Sequence, residues 1–121
     1  MQKALEVRRR QREEYIGTAR SYALELQKRV GSLSAVLIGS VARGDFNLWS
    51  DLDVVVISDN MPAEPLKRSE LLYSVAKPLV EPKGYTRDEF KKLLGKKNPS
   101  AVAVAKEGVV LLDDGFLKNT L

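Results

Sequence analysis

The sequence predicts an α/β domain of the α+β type, with one mixed sheet of about four strands and helices packed on one face. Short apolar runs rich in β-branched residues alternate with longer segments of helical periodicity. The chain has 121 residues, 44% of them hydrophobic and 30% charged, which suits one globular domain. We expect a single domain over residues 1–121, with an N-terminal helix at about 3–30 and a core at about 33–112.

The first 30 residues predict one long helix that ends before Gly31. Its apolar residues recur at helical spacing, and Gly is a common residue just past a helix end. The part before Tyr15 is much more polar than the rest, so we expect it either to project or to pack on a partner. The recurring residues are Ala4, Leu5, Tyr15, Ile16, Ala19, Tyr22, Ala23, Leu26 and Val30.

Two buried strands are predicted next, at residues 35–38 and 54–57, because both stretches are short, apolar and bounded by turn residues. Between them, Ser40 is expected to begin a short helical segment at 41–43. Gly44 is expected to permit the sharp reversal that returns the chain to the second strand.

The second half predicts three helices and two strands around polar loops. Residues 59–65 form a loop, and a helix at 66–77 turns Leu66, Leu71, Leu72, Val75 and Ala76 inward. A short, irregular strand is expected at 80–85. Thr86 caps a helix at 87–94 with Glu89 in a capping box, and Ser100 caps another at 101–106. A last strand follows at 109–112, and residues 113–115 turn into a short tail.

Two polar pairs stand at the ends of the first two predicted strands. Gly39 and Ser40 follow one strand, and ten residues separate them from Asp51 and Asp53 at the start of the next. Alternation along a strand places both carboxylates on one face. Two carboxylates on one face can coordinate Mg²⁺, which also binds the phosphate oxygens of a substrate. The free backbone N–H groups after Gly39 can bind such phosphates. The pairing indicates nucleotidyl transfer.

A structural interpretation of the same residues exists. A Gly-Ser after a strand is often only a turn, and an Asp-x-Asp is often only a solvated strand end. The two features at this spacing, flanked by two strand-like runs, favour a functional site.

The stretch GSVARGDFNLWSDLD resembles the G-S-x10-D-x-D signature of the DNA polymerase β-like nucleotidyltransferase superfamily. In so short a chain it looks most like the minimal nucleotidyltransferases of prokaryotes, over roughly residues 25–112. The resemblance implies the fold of that superfamily and transfer of a nucleoside monophosphate to a hydroxyl acceptor. ATP or another nucleoside triphosphate would be the substrate, and two Mg²⁺ ions would be the cofactors.

The resemblance also implies roles for individual residues. Gly39 and Ser40 would bind the β- and γ-phosphates, while Asp51 and Asp53 would hold the metal ions. Arg43 is either a phosphate contact or the partner of an ion pair with Asp45. Trp49 is expected to pack beneath the loop rather than to stack on a base.

A third carboxylate of the family stands on a later strand and acts as general base and metal ligand. The matching residue here is Glu81, where the family more often has Asp. Pro82 follows it and removes a ladder donor, which favours either a position at the edge of the sheet or the end of a strand. A surface Glu before a turn is the alternative interpretation.

Composition limits the chemistry. The chain has no Cys and no His, so acid–base steps depend on carboxylates, metal-bound water, Lys or Tyr. Lys and Arg outnumber Asp and Glu by 20 to 16. We interpret the basic clusters, of which Arg8, Arg9, Arg10 and Arg12 form the densest, chiefly as solvated helix faces. No apolar run reaches the ~20 residues of a membrane span and no secretory signal is recognisable, so we expect a cytoplasmic protein. Aromatic residues do not interleave with the basic pairs as they do in single-strand binders, so we expect that nucleic acid is not required.

The acceptor remains open at this level. The minimal nucleotidyltransferases imply a partner of the HEPN type, in a toxin–antitoxin pair where the nucleotidyltransferase transfers AMP to a hydroxyl of the toxin. A catalytically weak antitoxin that acts by surface contact is one alternative. Transfer to a small molecule such as an aminoglycoside is another, and it would need an added domain or a homo-oligomer.

Overall fold

One mixed sheet of four strands organises the chain, in the order β3-β2-β1-β4. The computed structural model describes residues 2–121. β1 runs antiparallel to both of its neighbours, and β3 runs parallel to β2. The predicted mixed four-stranded sheet is confirmed. Its strands are β1 (Ser34–Ile38), β2 (Leu52–Ile57), β3 (Val80–Tyr85) and β4 (Val109–Leu112).

Six helices accompany the sheet among the described residues: α1 (Gln2–Val30), α2 (Ser40–Arg43), α3 (Pro65–Tyr73), α4 (Arg87–Gly95), α5 (Pro99–Glu107) and α6 (Phe116–Thr120). The capping box of Thr86 and Glu89 is present. The predicted cap of α5 is wrong, because Asn98 and not Ser100 is the capping residue. The Asn98 side chain accepts a hydrogen bond from the Ser100 amide at 3.0 Å. Pro99 at the first helical position has the right φ already, which starts the helix early.

The helices lie on both faces of the sheet, which corrects the expectation that they pack on one. Side chains alternate along each strand. Ala35, Leu37, Val54 and Val56 pack with residues of α1 on one face. Val36 and Val55, on the other face, pack against Phe90, Ala101, Phe116 and Leu117 from α4, α5 and α6. The sequence did not show this because both faces use the same apolar residue types.

Two further expectations need correction. α3 ends at Tyr73 rather than at 77, because the Ser74 hydroxyl donates to the Leu71 carbonyl at 2.6 Å. Leu66, which we expected to turn inward, is exposed, and so is Ala76. Residues 116–120 of the short tail form α6, which buries Phe116 and Leu117, and the Asp113 carboxylate accepts hydrogen bonds from the amides of Gly115 and Leu117.

β3 lies at an edge of the sheet, as Pro82 predicts. It pairs in regular parallel register with β2 over all six residues, so it is less irregular than expected. α1 begins at the first described residue, and the predicted domain includes residue 1, which lies outside the described part. No helix within residues 2–121 is both long enough and apolar enough to cross a bilayer.

Candidate active site

Gly39 and Asp53 meet where β1 ends and β2 begins. Ile38 pairs with Asp53 in the antiparallel register, so the next residue of the chain passes the carboxylate. Gly39 has φ +90°, and a Cβ built on it would lie 3.0 Å from Asp53 Oδ2. A side chain at this position would therefore be strained and would crowd the carboxylate. The glycine keeps the space beside Asp53 open.

The two aspartates flank a buried leucine. Leu52 is fully buried, Asp53 is half-buried and Asp51 is exposed. Burial is the main cause that raises the pKa of Asp53; the Lys83 charge opposes this rise and the Asp51 charge adds to it. A half-buried carboxylate beside a second carboxylate attracts a cation. The predicted common orientation of the pair, with Leu52 in the core, agrees with this burial.

The short helix after Gly39 is present. α2 covers Ser40–Arg43, and its first amides have no side-chain cap. Gly44 has φ +91° and donates its N–H to the Ser40 carbonyl at 2.8 Å, so the predicted reversal at Gly44 is confirmed. The first N–H groups of α2, which no side chain caps, thus follow Gly39 directly in the chain, and the carboxylate of Asp53 lies beside Gly39.

Glu81 is the strand neighbour of Asp53. The two residues are partners in the parallel register of β2 and β3, which places their side chains on the same face of the sheet. Glu81 is exposed. Asp51, Asp53 and Glu81 do not converge on one point, and residues 2–121 contain no cluster of three Asp or Glu side chains that could hold a metal ion.

Arg43 is held by two carboxylates. Its guanidinium donates to Asp45 and to Glu107, each at 3.2 Å. The ion pair with Asp45 that the sequence left open is therefore present, together with a second one to the end of α5. The Arg43 side chain remains 46% exposed, so these contacts are solvated.

Trp49 does not pack beneath the loop, which corrects the expectation. It is 83% exposed, and its neighbour Leu48 is 58% exposed. Phe46 is the buried residue of this loop, and its ring meets Tyr15 edge to face at 5.6 Å. The Asn47 side chain accepts the Trp49 amide at 3.0 Å, which fixes the turn that presents Trp49 to solvent.

Several residues of the site region were missed by the sequence reasoning. Lys83 follows Glu81 on the same face of β3, and alternation along the strand could have revealed it. Arg8 and Arg12 were assigned to a solvated helix face, yet both donate to carbonyls of the segment 41–46. Tyr15 completes an i, i+4, i+7 series with them, which is a detectable helical pattern.

The residues present fit a divalent cation bound together with phosphates. In many Mg²⁺ sites the protein supplies only one or two carboxylates, and substrate phosphates and water complete the coordination. The open space at Gly39 lies directly against one of them. Asp51 and Asp53 are the residues that would hold the metal, and Glu81 is the nearest further carboxylate along the sheet.

A model of the nucleotidyltransferase domain matches residues 19–112, which is most of the chain and includes all four strands. The chain belongs to the nucleotidyltransferase domain family. The resemblance seen in the G-S-x10-D-x-D stretch is thereby confirmed, and the transferase class of the enzyme with it. The matched region begins within α1 and ends with β4.

Two solved structures share the fold of this nucleotidyltransferase domain. One is a candidate nucleotidyltransferase from Sulfolobus solfataricus, with 16% identity and a TM-score of 0.65 over 88% of this chain and 87% of that chain. The other is a toxin–antitoxin structure with AMP-PNP, with 18% identity and a TM-score of 0.52 over 84% of this chain and 82% of that one. Identities this low establish the fold alone. The comparison with curated proteins gives no significant match.

Proposed function

We propose that this nucleotidyltransferase domain transfers a nucleoside monophosphate, AMP from ATP, to a hydroxyl acceptor in a Mg²⁺-dependent reaction. The observation that carries the proposal is the open space at Gly39 against the half-buried Asp53, with Asp51 beside it. Because Gly39 has no Cβ, a phosphate can approach its backbone closely while the Asp53 carboxylate lies beside it.

Each residue has a defined task in this scheme. Ser40 and the amides of α2 bind the β- and γ-phosphates, and Asp51 and Asp53 hold two ions. Bound Mg²⁺ neutralises charge that develops on the α-phosphate and the leaving group. Glu81 accepts the proton of the acceptor hydroxyl, whose oxygen bonds to the α-phosphorus as pyrophosphate leaves.

Arg43 serves as a further phosphate contact in this proposal. Its ion pairs with Asp45 and Glu107 are solvated, and solvated ion pairs of this kind are weak. The guanidinium can therefore exchange a carboxylate for a phosphate, to which it binds in bidentate fashion.

For the acceptor, we propose a protein hydroxyl on a partner of the HEPN type. The fold likeness to a toxin–antitoxin structure that contains AMP-PNP supports both the nucleotide and a partner. The test incubates the protein, Mg²⁺ and the product of the neighbouring gene with ATP labelled in either the α- or the γ-phosphate. Label should reach the partner from the α-position only.

A matched pair of variants sharpens the test. Asp53→Asn should lower transfer by several orders of magnitude because an ion loses its ligand, while Asp88→Asn, an exposed change on α4, should leave it intact. Transfer of the γ-label, or equal transfer by Asp53→Asn and the parent protein, would contradict the proposal.

A second candidate function rests on the exposure of Trp49 and Leu48. Exposed aromatic residues on a rigid turn are typical anchors of protein interfaces. The domain would then neutralise its partner by contact, without turnover. Under this alternative, neutralisation survives Asp51→Asn and Asp53→Asn but is lost in Trp49→Ala; transfer-dependent neutralisation gives the opposite result for the aspartate variants.

A further inference from the structure

The first half of α1 lies along the segment that follows Gly39. Arg8, Arg12 and Tyr15 are spaced at i, i+4 and i+7, which places them on one face of the helix. All three side chains contact the segment 41–48. This face of α1 is therefore not free, although residues 2–10, Arg8 included, are exposed.

Arg12 binds the carbonyl end of α2 with both sides of its guanidinium. Its Nε donates to the Val41 carbonyl at 2.9 Å, and its Nη2 donates to the Ala42 carbonyl at 2.8 Å. A helix of four residues leaves its last carbonyls without intrahelical partners. The fork of Arg12 satisfies two of them, and its positive charge lies at the end of the helix where a cation is favourable.

Arg8 and Tyr15 hold the chain beyond α2. Arg8 donates to the carbonyls of Gly44, at 3.3 Å, and Phe46, and its guanidinium lies 4.4 Å from the centroid of the Phe46 ring. The Tyr15 hydroxyl donates to the Leu48 carbonyl at 2.9 Å. The contacts thus extend from the second residue of α2 almost to Asp51.

The second half of α1 is a fixed base for these contacts. Ala19, Tyr22, Ala23 and Leu26 are fully buried, and the Tyr22 hydroxyl donates to the Leu72 carbonyl at 2.5 Å. The family model begins at residue 19, so Arg8, Arg12 and Tyr15 precede the region that matches it.

We propose that Arg12, assisted by Arg8, is a positioning residue that holds α2 and its following loop in the geometry needed for phosphate binding. The expected change in the KM for MgATP rests on the proposed nucleotidyl transfer, whereas the expected change in the mobility of the loop does not. Removal of the guanidinium leaves the carbonyls of Val41 and Ala42 without partners and frees α2 to move away from Asp53.

The first experiment needs no nucleotide. Trp49 is the single tryptophan of the chain and stands in the loop held by Arg8 and Tyr15, so its fluorescence anisotropy decay reports the mobility of that loop. The apo Arg8→Ala/Arg12→Ala protein should show a faster local decay than the parent. Arg10→Ala, which removes an exposed arginine from the same helix, should match the parent protein.

The second experiment measures the KM for MgATP and kcat from pyrophosphate release. Arg12→Ala should raise the KM about tenfold, the equivalent of one charge-assisted hydrogen bond, with a smaller effect on kcat because Asp51 and Asp53 stay in place. Arg12→Lys should lie between, since an ammonium cannot reproduce the fork. Millimolar guanidinium should partly restore the KM of Arg12→Ala.

Unchanged anisotropy in the double variant, or an unchanged KM in a folded Arg12→Ala protein, would overturn this role. If Arg12→Ala does not fold, the KM of Arg12→Lys decides in the same way. Absence of MgATP binding in the parent protein would contradict the proposed function, while the anisotropy of the apo proteins would still test the positioning role.

Discussion

Gly39 and Asp53 are in such close apposition that a single methyl group on the glycine would lie 3.0 Å from the carboxylate oxygen Oδ2 of the aspartate. The register of β1 and β2 produces this contact, because Ile38 is the partner of Asp53. The end of one strand thus lies against the carboxylate at the start of the next. The proposed phosphate and metal site lies at this junction.

The first prediction compares Gly39→Ala with Gly44→Ala. Both glycines have φ near +90°, but ψ is −159° at Gly39 and 2° at Gly44. Backbone strain should therefore cost about 1–3 kcal/mol at Gly39, whose conformation is essentially restricted to glycine, and about 1–2 kcal/mol at Gly44. Only the methyl group at Gly39 meets a neighbour, namely the Asp53 carboxylate; at Gly44 no atom lies within 4 Å. Isothermal titration with MgATP should show strongly weakened binding for Gly39→Ala and nearly parental binding for Gly44→Ala. Equal loss in both variants would assign the effect to backbone strain.

The second prediction concerns the charge of Asp53. Burial raises the pKa of this carboxyl, and Asp51 adds to the rise while Lys83 opposes it. Because the pKa is higher in the folded chain than in the unfolded one, ionisation with rising pH destabilises the fold. Asp53→Asn should therefore raise the melting temperature of the apo protein at neutral pH, and the difference should vanish below about pH 4.

Addition of Mg²⁺ with ATP should reverse that order. MgATP that binds only the folded state raises the melting temperature of the protein by mass action. Asp53→Asn removes a carboxylate that would coordinate the metal, so this variant should gain less. If, in the absence of metal at pH 7, Asp53→Asn is less stable than the parent protein, Asp53 is a structural residue.

The third prediction tests the packing of α5 on the sheet. A Cβ at Gly108 would lie 2.4 Å from Val36 Cγ1 and 2.7 Å from the Val104 carbonyl oxygen. Gly108→Ala should lower the free energy of unfolding by about 1–3 kcal/mol because neither neighbour can retreat easily. Gly17→Ala in the exposed part of α1 meets no atom within 4 Å and should raise it by about 0.5–1 kcal/mol. Urea unfolding of the two variants should give shifts of opposite sign.

The fourth prediction concerns acid stability through Asp114. Burial alone would raise its pKa, but hydrogen bonds from Ser32, Ser34 and the Phe116 amide, with Arg87, outweigh burial and lower the pKa to about 2. The carboxylate should contribute about 2 kcal/mol at neutral pH, which is lost as the pH falls from 4 towards 2. Asp114→Asn should be less stable than the parent at pH 7, with convergence near pH 2; a difference independent of pH would contradict this origin.

Much of this fold could be predicted because local signals agree with the tertiary structure. The capping box of Thr86 and the reversal at Gly44 arise from contacts within a few residues, and the strand at 54–57 is marked by its own short apolar run. The pairing of Gly39 with Asp53 was accessible for the same reason, since two adjacent antiparallel strands bring their joined ends together.

Other features depend on contacts that are distant in sequence. Arg8 and Arg12 look like members of a solvated basic cluster until the carbonyls of residues 41–46 are known to lie against them. Trp49 has a large apolar side chain of a kind that is usually buried. In this loop Phe46 is the buried residue instead, and Trp49 is exposed. The placement of helices on both faces of the sheet is likewise invisible to periodicity.

The most direct test of the central claim is a calorimetric titration of the parent protein and Asp53→Asn with ATP in the presence of Mg²⁺. The account predicts saturable binding to the parent protein that requires both Mg²⁺ and ATP and that is lost in Asp53→Asn, while Asp88→Asn binds as the parent does. Equal binding by Asp53→Asn, or no binding by the folded parent protein, would contradict the assignment of Gly39, Ser40, Asp51 and Asp53 as a nucleotide and metal site.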